Sequence, residues 1–184
     1  MRIAILDVDY RSNVARAACV TAPSWATELP LATHVSDIES VQEYEPGAFY
    51  KRELPCLLRV LEQLAAKPDV IVIDGYVWLD GACRPGLGAH LYQALGNATP
   101  VVGVAKTAFH GAETCPAVVQ VRRGTSARPL FVTAVGVDLA EAAGWVRGMA
   151  GLHRIPSLLA AVDQLSRSTF ETPPGASAAN AVAG

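Results

Sequence analysis

The apolar pattern of the first forty residues reads as three strands, 3–10, 13–22 and 26–34, separated by short polar or Pro-containing breaks. Strands spaced this closely predict an antiparallel meander. Leu54, Leu57, Leu58, Leu61, Leu64 and Ala65 then fall at i, i+3, i+4, i+7, i+10 and i+11. That is helical periodicity with one buried stripe, and Lys67-Pro68 ends it. Val70 to Ile73 are β-branched without alternation, as expected of a strand covered on both faces, and 101–105 repeats the pattern after a helix at 87–95. Segments 117–122 and 129–134 predict a hairpin around Gly124, followed by helices at 139–149 and 157–166.

A meander leading through a helix into strands with helical crossovers is a mixed α/β plan, antiparallel in its first three strands and parallel afterwards, flanked by helices. RNase H-like folds have this order. The 184 residues, 51% hydrophobic, suffice for one sizeable core. We expect a single domain over 1–170 and a flexible Pro/Gly/Ala/Ser tail over 171–184.

A net charge of −2 excludes the global basic field of bulk nucleic-acid binders, so any such contact is local. Cys19, Cys56, Cys83 and Cys115 lack zinc-ligand spacing and read as reduced packing residues. The opening apolar stretch is too short for a signal peptide and no later run has the length to cross a bilayer, so the expectation is a cytoplasmic protein with no membrane partner.

Asp7 interrupts the first strand after four apolar residues, where a buried carboxylate is costly unless paired, hydrogen-bonded or cation-bound. Asp74 ends the strand begun at Val70, at the carboxyl edge where open α/β sheets place ligands, and Gly75 allows a sharp turn or a close ligand approach. Glu53 flanks the apolar stripe of the first helix. Each acid alone has an ordinary explanation as a helix-dipole or turn residue. Together they form an oxygen-rich set suited to Mg²⁺ or Mn²⁺ and to phosphodiester hydrolysis, though also to other metal chemistry. Lys106, ending strand 101–105, falls on the same edge and can orient water or contact a phosphate.

The segments Leu6-Asp7-Val8-Asp9-Tyr10, Tyr44-Glu45-Pro46-Gly47 through Lys51-Arg52-Glu53-Leu54-Pro55, Val72-Ile73-Asp74-Gly75, Gly103-Val104-Ala105-Lys106 and His153-Arg154-Ile155-Pro156 through Asp163 resemble, in order, the motifs of the endonuclease V family. The resemblance implies cleavage of a phosphodiester bond 3′ to deoxyinosine in DNA, or to inosine in RNA, in DNA repair by a monomer. It implies Asp7, Glu53, Asp74 and Asp163 as Mg²⁺ ligands, with Mn²⁺ able to substitute, and Lys106 as an aid to the attacking water. Tyr44, Glu45, Pro46 and Gly47 would form the loop wedged into the strand, Gly47 and Gly75 would line the pocket for the extruded base, and Arg84 and His153 would touch substrate.

The run Tyr76 to Pro85 departs from the family, which has a histidine and a second glycine after Asp-Gly. Val77 at that glycine position predicts an obstructed pocket and weaker discrimination for inosine. Lys51, Arg52, Arg84, Arg122, Arg123 and Arg154 are candidate phosphate contacts. Two alternatives stay open: an RNase H-like nuclease with another substrate preference, and a nucleic-acid-binding module with little catalysis.

Overall fold

The computed structural model describes residues 1–11, 14–39, 49–112 and 114–168. Its elements are β1 (Ile3–Arg11), β2 (Val14–Ala22), β3 (Ala32–Glu39), α1 (Phe49–Leu61), β4 (Val70–Asp74), α2 (Leu87–Ala94), β5 (Val101–Ala105), β6 (Val119–Val121), β7 (Leu130–Val135), α3 (Leu139–Gly148) and α4 (Ser157–Ser166). The strands form one sheet in the order β3-β2-β1-β4-β5-β7-β6. The first three strands pair antiparallel, and β1, β4 and β5 pair parallel. The hairpin β6–β7 then closes the far side antiparallel to β5.

Two elements differ from the sequence expectation. The third strand occupies Ala32–Glu39 rather than 26–34. Pro23 and Pro30 lack the N–H a ladder needs, the Thr27 N–H turns back to the Ser24 carbonyl at 3.2 Å, and pairing resumes where the Leu31 N–H meets the Thr21 carbonyl at 2.8 Å. The first helix ends at Leu61, with Leu64 in a turn whose N–H bonds the Leu61 carbonyl at 3.1 Å. Leu64 still packs against the core from that turn, which is why it extends the helical stripe in the sequence without extending the helix.

Strand alternation sorts the core into two layers. Ile3 and Ile5 of β1, Val70 and Val72 of β4 and Val102 and Val104 of β5 are buried with Ala142, Val146, Leu158 and Val162 of α3 and α4. On the other face Ala4, Leu6, Ile71, Ile73 and Val101 pack with Leu57 and Val60 of α1 and Leu87 and Leu91 of α2. At roughly 1.5–3 kcal/mol for each fully buried aliphatic side chain, these layers make the central strands a rigid mount for whatever their carboxyl ends carry. Cys19, Cys56 and Cys115 are buried free thiols as expected, but Cys83 is exposed in a loop at φ 58° and packs nothing.

Candidate active site

Residue parity places the acids. In the β1–β4 register Leu6 lies opposite Ile73, so Asp7 and Asp74 are the next residues on neighbouring parallel strands. Both share parity with the layer beneath α3 and α4, as does Lys106 beyond the end of β5. From that layer α4 contributes Asp163. The Lys106 ammonium bridges β4 and α4 directly: Nζ donates to Asp74 Oδ2 at 2.6 Å and to Asp163 Oδ1 at 2.8 Å. Arg167, one helical turn on, donates to the same Asp163 oxygen at 3.1 Å.

Asp7 is tied to α4 as well, because the Ser166 hydroxyl lies 2.6 Å from its Oδ2. Burial raises the Asp7 carboxyl above its ordinary range; the Ser166 hydrogen bond opposes this, and the charges of Asp74 and Asp163 add to it. Glu53 reaches the cluster from the opposite layer, on α1, and is 7% exposed. Its carboxyl is pushed up to about 8, first by burial and then by the charges of Asp7 and Asp74. Among the described residues no hydrogen-bond donor reaches the Glu53 carboxylate. Burial pulls the Lys106 ammonium down, but its bonds to Asp163 and Asp74 outweigh that, so it holds its proton above the usual lysine range.

The donor set fits a hard divalent cation: carboxylate oxygens from β1, α1, β4 and α4, two of which, on Asp7 and Glu53, are drawn toward a positive partner by burial and by neighbouring negative charge. Among the described residues no three donors already stand as a finished metal cage. Lys106 lies between Asp74 and Asp163, sharing them with any cation bound there.

Beside Glu53 and Asp74 opens a cavity of about 360 Å³ whose wall includes Tyr50, Gly75, Tyr76 and Arg84. Gly75 makes the turn into it at φ +146°. Gly103 on β5 lets the chain cross close by, since a Cβ there would meet the Gly75 carbonyl at 2.6 Å and the Val77 nitrogen at 2.9 Å. Tyr76 is anchored by its hydroxyl on the Thr107 carbonyl, 2.7 Å away, and by an edge contact with Phe109.

A model of the Endonuclease V family matches residues 1–164. The chain belongs to that family. An endonuclease V from Streptomyces coelicolor is 32% identical over 195 aligned positions, covering 92% of this chain and 79% of the relative. One from Xanthomonas campestris pv. campestris is 39% identical over 114, covering 59% of this chain and 45% of the relative. The chain thus spans about half the length of the first curated relatives it matches, 45% to 48%. The crystal structure of Ciona intestinalis endonuclease V, in complex with a 23mer DNA containing an inosine followed by a ribo-adenosine, superposes with a TM-score of 0.73 at 20% identity, covering 90% of this chain and 83% of that one. The fold is accordingly RNase H-like.

Of the residues that the endonuclease V resemblance singles out, the structure brings Asp7, Glu53, Asp74, Lys106 and Asp163 into one cluster, with Gly75 and Arg84 on the adjoining cavity. Tyr44, Glu45, Pro46 and Gly47 lie outside the described residues, as does the tail expected over 171–184. His153 is exposed, and its carbonyl serves the Arg123 guanidinium at 3.3 Å.

Two further expectations are corrected. Val77 does not line the cavity: it is fully buried beneath α2, where a Cβ on Gly88 would come within 2.7 Å of its Cγ2, and its N–H bonds Thr133 Oγ1 at 2.8 Å. Of the divergent run, Tyr76, Leu79, Arg84 and Pro85, and not Val77, line the cavity. Arg123 is no phosphate contact, being 7% exposed with its guanidinium on the carbonyls of Arg147, Met149, Ala150, Gly151 and His153 at the end of α3. Arg154 is half-buried and donates through Nη2 to the carbonyls of Lys106 and Pro129, the latter at 2.9 Å, and so clamps the strand end that carries Lys106. Ser166 and Arg167 escaped the sequence reading, although Asp163 and Ser166 stand at i, i+3 on one helical face, a spacing that was there to be read.

Proposed function

We propose that this chain is a divalent-cation-dependent endonuclease that hydrolyses the phosphodiester 3′ to deoxyinosine, or to inosine in RNA, in the repair of deaminated nucleic acid. The observation that carries the reading is the adjacency of the carboxylate cluster to a cavity of small-ligand size, about 360 Å³. The Ciona intestinalis relative with inosine-containing DNA supports the choice of substrate. Asp7, Glu53, Asp74 and Asp163 would hold Mg²⁺ or Mn²⁺, which when bound offsets charge on the scissile phosphate and makes a water more acidic.

The chain's own residues do the rest. Lys106 keeps its proton, so it acts as a donor and a fixed positive charge, orienting water or a phosphate oxygen; it is no general base. Arg154 holds the Lys106 backbone, which keeps that charge in place. Tyr50 and Tyr76 offer ring faces and edges to a base extruded into the cavity, and Arg84, itself held by Asp80 at 3.2 Å, offers a donor at its rim.

Single-stranded and duplex oligonucleotides, DNA and RNA, with inosine or adenine at one position, test the reading when incubated with Mg²⁺ beside Asp74→Ala protein. Cleavage one bond 3′ of inosine by the wild type alone is the expected result. Binding without cleavage would replace the enzyme by a binding module, and equal cleavage of adenine strands would replace the inosine pocket by another preference.

A further inference from the structure

We infer that Ser166 is the positioning residue that fixes the Asp7 carboxylate, and with it the spacing between Asp7 and Asp163, for cation binding. The inference rests on the metal-site reading above. Ser166 is fully buried, with its Oγ 2.6 Å from Asp7 Oδ2 and 2.9 Å from the Asp163 carbonyl. A hydroxyl has one proton, so it donates to one of these oxygens at a time. The carboxylate is the nearer acceptor and the charged one, which makes that bond the stronger. The Asp163 carbonyl keeps a donor regardless, the Arg167 N–H at 3.3 Å.

The consequence is geometric. With Oδ2 held, the Asp7 carboxylate cannot rotate freely, and among the described residues no donor reaches Oδ1. That oxygen stays available as a cation ligand. Without the tether, repulsion from Asp74 and Asp163 would favour rotation of Asp7 away from them. Because Ser166 lies three residues after Asp163 on α4, the same hydroxyl also sets where α4 meets β1. A purely local role, the back-bond from a helical serine to the carbonyl three residues earlier, would leave the affinity for a cation untouched.

The test is Mn²⁺ binding, read from the electron paramagnetic resonance of free Mn²⁺, by EDTA-stripped full-length wild type, Ser166→Ala, Ser166→Cys and Asp74→Ala. The expected result is a loss of affinity of about tenfold or more in Ser166→Ala, in the range of outer-shell partners of metal ligands. Inosine-strand cleavage by that variant should be depressed at low Mn²⁺ and recover at saturation, a pattern that a general loss of structure would not give. If near-ultraviolet circular dichroism shows Ser166→Ala unfolded, Ser166→Cys carries the test; its thiol is a weak donor, and affinity should still fall severalfold. Wild-type Mn²⁺ affinity in either folded variant overturns the inference. Equal binding by wild type and Asp74→Ala would instead sink the metal-site reading, and this inference with it.

Discussion

Glu53 offers a stability measurement whose sign is opposite to that of most buried-acid substitutions. In the unfolded chain its carboxyl ionises near the ordinary 4.5, and in the folded protein near 8. Between those values the folded state binds the extra proton, so the stability this group contributes is fully present below about pH 4.5 and is lost as pH rises through about 8. At about 1.4 kcal/mol per pH unit, the loss is on the order of 5 kcal/mol, and relaxation of α1 would reduce it. Glu53→Gln keeps the shape and cannot ionise. In EDTA, urea titrations of the two proteins should give similar stabilities at pH 4.5 and a more stable variant at pH 8.5, by several kcal/mol. Mg²⁺ should then raise the wild-type melting temperature at pH 8 and leave that of Glu53→Gln nearly unchanged. Parallel stability curves from pH 4.5 to 8.5 would refute the account, since they would mean that Glu53 ionises as freely in the fold as outside it.

Asp7→Ala and Asp74→Ala should each lower inosine-strand cleavage by on the order of 10²-fold or more, beyond the effect of an outer-shell partner, while circular dichroism stays native; full activity in either would remove it from the site. Asp163→Ala should cost less, because Asp163 already shares its charge with Lys106 and Arg167, and single-turnover rates would show an error in that ranking. Val77→Gly should destabilise by about 2–4 kcal/mol through a core cavity and added chain entropy, with the ratio of inosine to adenine cleavage unchanged; a sharpened ratio would restore Val77 to the pocket. With Arg123 committed to main-chain carbonyls and a net charge of −2, binding should show a shallow salt dependence, log K falling by about 0.7 to 0.9 per log unit of salt for each phosphate neutralised, and a slope implying ten contacts would contradict local binding.

Most of the sheet was legible because its signals are local. The β-branched runs at Val70 to Ile73 and Val101 to Ala105 need no partner to read as buried strands, and strand parity then carries Asp7, Asp74 and Lys106 to one face. What failed depends on tertiary partners. The third strand slid to Ala32–Glu39 because its place is set by pairing with β2, Thr21 opposite Ala32 and Val14 opposite Glu39, and not by its own weak alternation. Leu64 imitates a helical position because a turn can bury it on the same side. An alignment of motifs says which residue stands where a glycine is usual, but not which way its side chain points. Val77 goes into the core, and the neighbouring Tyr76 goes to the cavity. The arginines show the same limit, since the charge of Arg123 is visible in the sequence and the carbonyls at the end of α3 that consume it are not.

The charges around the cluster bear on why the proposed chemistry needs a divalent cation. Asp7, Glu53, Asp74 and Asp163 face Lys106, Arg167 and, beside Glu53, Arg52, so with all four acids ionised they outnumber the cations. A phosphodiester brings a further negative charge to a partly buried site, where Coulomb repulsion is weakly screened. Arg123 is turned to main-chain carbonyls at the end of α3, and Arg154 gives one guanidinium nitrogen to the strand end that holds Lys106, while Arg84 borders the cavity. Glu53 would release its proton to solvent on joining Asp7, Asp74 and Asp163 around a dication, whose charge would bring the site close enough to neutrality for an anionic substrate to enter. The high proton affinity of Glu53 thus comes first from its burial and then from the charges of Asp7 and Asp74, and that same crowding of carboxylates would draw a hard cation to the proposed site.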